Sequence, residues 1–186
     1  MAEVLWLSNE TPDRDGQGGQ RRQLHLVEQL ARAGHQVTVV TLAGPQSQTS
    51  LAQWATVVRV STSILSRWRS PLGRRRLARL AASSWDAVVV SHSESWAEFG
   101  PTALASGAPL AVDLHNVYGV GDPAQAELER ELTDRADLVL VCSDLERQRL
   151  LSVVGPDSSA LAQDRVRVLP HGIDPAEWQA EPDPSP

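Results

Sequence analysis

Short apolar runs rich in valine alternate along this chain with longer stretches whose apolar positions fall three and four residues apart. The runs lie near residues 3–8, 36–42, 56–61, 86–91, 109–114, 137–142 and 165–169. Continuous apolar strands separated by helical patterns are the mark of repeated βαβ units, because a parallel strand is covered by helices on both faces and has no solvent side to alternate with. The pattern predicts an α/β chain built on an open, mostly parallel twisted sheet of about seven strands, with helices on both faces.

The helix boundaries are marked by residue type. A helix over 20–33 places Leu24, Val27, Leu30 and Ala31 on one face and ends at Gly34, which suits the left-handed position after a helix. A helix over 71–83 starts at Pro71, turns Leu77, Leu80 and Ala81 inward and leaves Arg75, Arg76 and Arg79 outside. Asp122 before Pro123 caps a helix over 123–135, and Ser143 with Glu146 has capping-box spacing for another after the sixth strand. Beyond Asp174 the prolines at 175, 182, 184 and 186 deny regular structure. Residues 1–174 therefore read as a single Rossmann-like domain, and 175–186 as a linker-like tail.

Composition narrows the class. With 186 residues, 41% hydrophobic and 22% charged, the chain has room for one buried core. No apolar run has membrane-spanning length and the start lacks a signal-peptide pattern, which predicts a cytoplasmic location. The single cysteine, Cys142, closes an apolar strand and reads as a packed thiol; one cysteine cannot form an intramolecular disulfide. The net charge of -6 argues against nucleic acid, yet six arginines fall between 67 and 79. Arg74, Arg75, Arg76 and Arg79 with Trp68 read either as a solvated helix face or as a patch that docks on anionic lipid or an anionic acceptor.

Ligands of open α/β sheets sit beyond the carboxyl ends of the strands, so the residues there are weighed first. The first such loop holds Gly16, Gly18 and Gly19, whose backbone can approach a phosphate or sugar with no side chain between. A nicotinamide fingerprint would need a third glycine where Arg21 stands, and an acid after the second strand, where Thr41-Leu42-Ala43 supplies none. His92, His115 and His171 follow the fourth, fifth and seventh strands and share one edge of the sheet. His115, with Asn116 beside it, can donate a hydrogen bond to a sugar hydroxyl or handle a proton. Either reading stands for His92, a ligand contact or a loop hydrogen bond, while His171 reads first as a loop residue. Ser143 and Arg147 are further candidates at a helix start, although a cap and a solvated residue explain them equally. No Gly-x-Ser-x-Gly elbow is present, and the histidines have no metal-ligand spacing.

Several of these pieces resemble one family in order and spacing. The opening strand with its glycine-rich loop, Leu30 to Thr41, Asp113-Leu114-His115-Asn116, Ala136-Asp137 with Cys142-Ser143, and Pro170-His171-Gly172-Ile173-Asp174 together resemble the N-terminal domain of glycosyltransferase family 4. The resemblance implies a GT-B fold of two facing Rossmann-like domains, retention of anomeric configuration, a nucleotide-sugar co-substrate, and neither metal nor other cofactor. It implies that Gly16, Gly18 and Gly19 border the cleft, that His115 is the catalytic histidine contacting the transferred sugar, and that 172–174 lead into the interdomain linker. It also makes Arg74 to Arg79 similar to the basic region carried by members with membrane-bound acceptors, at the inner membrane face. His171 departs from the asparagine more often found there.

The family's donor domain carries an arginine–lysine pair and two glutamates eight positions apart, and this chain has no lysine and no such glutamates. The expectation is an acceptor-binding half of a hexosyltransferase-like enzyme, inactive alone, with the donor half in a missing C-terminal region or a separate chain. The rival expectation is a non-catalytic subunit derived from such an enzyme that binds a glycan, lipid or protein.

Overall fold

A computed structural model describes residues 1–42, 49–60, 71–155 and 164–172 of the chain. Seven strands appear where the valine-rich runs predict them: β1 (Glu3–Ser8), β2 (Gln36–Thr41), β3 (Thr56–Arg59), β4 (Ala87–Ser91), β5 (Leu110–Leu114), β6 (Leu138–Val141) and β7 (Val166–Val168). They form one sheet in the order β3-β2-β1-β4-β5-β6-β7, with every neighbouring pair parallel. The helices among the described residues are α1 (Gly18–Arg32), α2 (Thr49–Ala52), α3 (Pro71–Ala81), α4 (Ser93–Ser106), α5 (Pro123–Arg135) and α6 (Asp144–Val154).

Alternate residues of β1 to β5 face two cores, while β6 and β7 feed one of them. Val4 and Trp6 of β1 pack with Leu24 and Val27 of α1 on one face, while Leu5 and Leu7 pack with Trp96 and Phe99 of α4 on the other. Leu77 of α3, Leu132 of α5 and Leu150 of α6 join the second core, so α1 and α2 cover one face and α3 to α6 the other. Leu5 and Leu7 are wholly buried, and truncating either to alanine removes about 2–5 kcal/mol.

Helix ends follow the predicted chemistry with two corrections. Gly34 has φ +87 after α1, and Asp122 Oδ1 accepts from the backbone N–H of Ala124 and Gln125 at 2.9 and 3.2 Å. However, α1 begins at Gly18 rather than at residue 20, because Gln20 Oε1 accepts the Gln17 N–H at 3.0 Å and closes the first turn around the glycines. Helix α3 stops at Ala81 rather than 83, where Trp85 Nε1 donates to Leu80 O at 2.6 Å and takes one of its last carbonyls. Cys142 is half-buried rather than packed inside the core. Trp68, Ile173, Asp174 and the tail 175–186 lie outside the described residues.

Candidate functional site

β1, β4 and β5 finish level with one another, since Ser8 pairs with Ser91 and Ser91 with Asp113. β1 leads into α1 on one face of the sheet and β4 into α4 on the other. The two chains diverge there, and a crevice opens at the switch in strand order. A cleft of about 310 Å³ occupies it. Gly18 and Gly19 of α1, His92 after β4, and His115 and Asn116 after β5 line its wall, so five predicted residues meet there. Asn9, Glu10 and Gln17 from the β1–α1 loop, Glu94 of α4 and Tyr118 complete it.

The glycines are there for space. A Cβ on Gly19 would lie 2.8 Å from His92 Cε1 and 3.0 Å from His92 Nε2, well inside van der Waals contact. Without one, the imidazole lies over the first turn of α1, where N–H groups lack intrahelical acceptors. His92 is held in that place at a cost: its φ is +69 with ψ 151, a region open to glycine and strained for a side-chain-bearing residue. Its backbone N–H donates to Asp113 O at 2.9 Å, and that bond fixes the turn.

The three predicted histidines form a row. The rings of His92 and His115 meet edge to face at 5.7 Å between centroids, and those of His115 and His171 at 4.6 Å. His171 is thus part of the site's scaffold, which its position in a loop did not reveal. Burial pushes the His115 imidazolium below the usual 6.5, with His171, His92 and Arg22 pushing the same way and Asp113 opposing them. His171 is lowered by burial and then by Arg22, again against Asp113. His115 is consequently held neutral. Its Nδ1 and the Nε2 of His92 are buried and have no hydrogen-bond partner among the described residues.

Arg22 is the main residue that the sequence did not single out. Its guanidinium grips Asp113 and donates Nη1 to Leu169 O at 2.8 Å, which ties α1 to the ends of β5 and β7. An aspartate closing a strand that is otherwise wholly apolar is the signal that could have found it, since a buried carboxylate needs a cation. Glu129 and Glu146, both buried, shape the loop after β5 in a related way. Glu146 accepts from Val117 N at 2.7 Å, and Glu129 from Tyr118 N and Gly119 N at 2.8 and 3.0 Å. Burial raises the Glu129 carboxyl above its ordinary 4.5, and the two N–H groups act against that rise.

Four sets of predicted residues are not brought to the cleft. Gly16 lies outside the lining, and a Cβ there would strike Gln20 Oε1 at 2.5 Å, so its role is to let the loop close on α1. Ser143 caps α6 by accepting Glu146 N at 3.2 Å, while the Glu146 side chain turns away to Val117 and Arg149 instead of completing a capping box. Arg147 lies in that first turn, half-buried, and neither it nor Ser143 lines the cleft. Arg74, Arg75, Arg76 and Arg79 are exposed on α3, away from the cleft lining. Among the described residues no group of three or more His, Cys, Asp or Glu is placed to hold a metal, and no helix is long and apolar enough to cross a membrane.

The fold is shared with several solved proteins. HepE of Anabaena, solved with UDP-glucose, superposes with a TM-score of 0.73 at 15% identity, covering 98% of this chain and 47% of HepE. Sucrose-phosphate synthase of Thermosynechococcus elongatus gives 0.71 at 16%, covering 92% and 48%. The lipopolysaccharide outer core galactosyltransferase WaaB gives 0.60 at 11%, covering 92% and 46%. The chain spans about half the length of these proteins, and in each the likeness shows the shared fold. No curated protein sequence matches significantly. The family model of Glycosyltransferase Family 4 matches residues 16–177, from the glycine loop to beyond β7. With that span of matching sequence and a GT-B-type Rossmann-like half to carry it, the chain belongs to Glycosyltransferase Family 4.

Proposed function

We propose that this chain is the acceptor-binding half of a retaining glycosyltransferase, which moves a sugar from a nucleotide-sugar donor to a glycan, lipid or small-molecule acceptor. The observation that carries the reading is the meeting of Gly18, Gly19, His92 and His115 around one cleft at the switch point of the sheet. HepE, of which the chain covers about half, was solved with UDP-glucose. By analogy a donor-binding domain, in the same or a separate chain, closes over this cleft.

In the transfer, the bond from the sugar's anomeric carbon to the donor phosphate breaks. The bonding electrons leave with the nucleoside diphosphate, the acceptor oxygen bonds to that carbon, and the acceptor hydroxyl passes its proton to the departing phosphate oxygen. The neutral His115 contributes a hydrogen bond to a hydroxyl of the transferred sugar, and Asn116 and the N–H groups of the first turn of α1 add further donors. The donor diphosphate needs positive charge, and among the described residues the lining of this cleft holds no arginine or lysine, which supports a chain that needs the donor domain for activity.

The test is turnover of UDP-glucose by the chain alone and by the chain joined to a family 4 donor domain. Turnover only in the joined protein, lowered about 10–100-fold by His115→Ala, supports the reading. Transfer by the chain alone would remove the half-enzyme reading. Glycan binding with no turnover in either form would support the binding-subunit alternative.

A further inference from the structure

Tyr118 is the only tyrosine of the chain, and it is 48% exposed at the wall of the cleft. An aromatic side chain left at a surface is ordinary; one whose backbone is fastened this firmly is not. Three consecutive N–H groups, those of Val117, Tyr118 and Gly119, end on the carboxylates of Glu146 and Glu129, which are 6% and 0% exposed. Gly119 packs so closely that a Cβ would lie 2.6 Å from Glu129 Oε2 and 2.7 Å from Ala126 Cα. Asn116 Nδ2 donates to the Tyr118 hydroxyl at 3.1 Å and steadies the ring itself. Two buried carboxyl groups thus fix one short loop that presents a phenol ring at the wall of the cleft.

The charge of the lining selects the ligand. Among the described residues, Glu10 and Glu94 are its formally charged side chains, burial lowers the His115 imidazolium below its usual value, and no arginine or lysine lines it. A phosphorylated or carboxylated acceptor would meet two negative charges with only the α1 N–H groups to offset them. A ring bearing hydroxyls or an amine meets acceptors it can satisfy, and its C–H face matches the ring of Tyr118.

We propose that Tyr118 with Asn116 forms the acceptor subsite of the cleft, where a non-phosphorylated polyol ring, uncharged or amine-bearing, stacks on the phenol while its polar groups meet Glu94 and Glu10. The subsite rests on the glycosyltransferase reading and specifies its acceptor. The arginine face of α3 then serves some other contact than the acceptor's reacting end.

The experiment follows the His92 and His115 imidazole signals by NMR while the 186-residue protein is titrated with methyl α-glucoside, glucosamine or glucose 6-phosphate. The first two are expected to shift both signals saturably, and glucose 6-phosphate to bind at least about tenfold more weakly. Tyr118→Ala weakens methyl glucoside binding at least about fivefold, while Tyr118→Phe stays within about twofold. Glucose 6-phosphate binding as tightly as methyl glucoside, an unaltered Tyr118→Ala, or silence from all three probes each overturns the subsite. Turnover by the protein joined to a donor domain is scored separately: turnover with an unaltered Tyr118→Ala sinks the subsite alone, and absent turnover with intact sugar binding sinks the enzymatic reading alone.

Discussion

Arg22 and Asp113 form a closed ion pair inside the molecule. Arg22 Nη2 lies 2.8 Å from Asp113 Oδ1, Nε lies 3.1 and 3.2 Å from the two carboxylate oxygens, and the side chains are 3% and 1% exposed. The remaining nitrogen, Nη1, reaches Leu169 O at 2.8 Å and Pro170 O at 3.4 Å. One side chain therefore joins the three segments that carry Gly19, His115 and His171. The histidine row exists because those segments are held at fixed spacing.

Breaking that pair leaves a buried, uncompensated charge. Arg22→Met is expected to lose about 3–5 kcal/mol, read as a lower urea midpoint. Arg22→Lys should recover only part, because an ammonium cannot span both carboxylate oxygens and Leu169 O at once. A midpoint for Arg22→Met equal to that of the parent would show that the pair does not hold these segments together.

His92 should trade stability against function. Its φ of +69 costs about 1–3 kcal/mol, and glycine removes that cost while adding about 0.5–1 kcal/mol of unfolded-chain entropy. His92→Gly is therefore expected to melt no lower than the parent, and up to a few degrees higher, while losing the wall over α1 and with it sugar binding. Gly19→Ala should fail by the opposite route, since its Cβ displaces the same imidazole from 2.8 Å away. Calorimetry and the sugar titration read the two effects independently. A large drop in melting temperature for His92→Gly would mean that the ring, and not its backbone, is what the fold needs.

The sheet was legible in the sequence because parallel strands covered on both faces are near-continuously apolar, and Ala87 to Val90 and Leu138 to Val141 are, while Val37 to Val40 is broken only by Thr38. Helix starts were legible where a side chain makes the cap, as at Asp122 and Ser143, and misplaced at α1, where Gln20 folds back onto Gln17. The cleft was legible as far as glycines and histidines just past strand ends reveal it. Arg22, Glu129 and Glu146 were not, because each sits in an amphipathic helix where a charged residue ordinarily faces water. Only the three-dimensional closure of the β5 loop against α5 and α6 turns the two glutamates inward, and only the meeting of α1 with the ends of β5 and β7 gives Arg22 its buried partners. Gly16 falls outside the cleft lining, with the Gln20 side chain packed against it.

Acid should loosen the fold through its histidines. Burial lowers the folded-state value of His115 and of His171 below 6.5, so between that value and the lowered ones the unfolded chain binds more protons than the folded one. Stability contributed by the neutral rings is complete above about pH 6.5 and is lost as pH falls through the folded-state values. Urea midpoints taken from pH 7.5 down to 5 are expected to fall, and His115→Asn should flatten the decline. A midpoint that rises on acidification over that range would contradict the neutral, buried state assigned to His115.

The basic face of α3 gives the last prediction. Arg74, Arg75 and Arg79 are exposed on one helix, with Leu72 beside them 78% exposed, while Leu77 and Ala81 turn into the core. Arg76 is already engaged, donating Nη1 to Arg59 O at 3.0 Å. If this face meets the anionic surface of a membrane, each arginine contributes about fivefold to partitioning at physiological salt. The triple change Arg74→Glu, Arg75→Glu, Arg79→Glu should then abolish cosedimentation with vesicles containing phosphatidylserine, and high salt should do the same to the parent. Neither change should alter the melting temperature by much, because the substituted side chains stand outside the core. Parent protein that ignores such vesicles at low salt would assign the arginines to the solvated face of a surface helix and to nothing more.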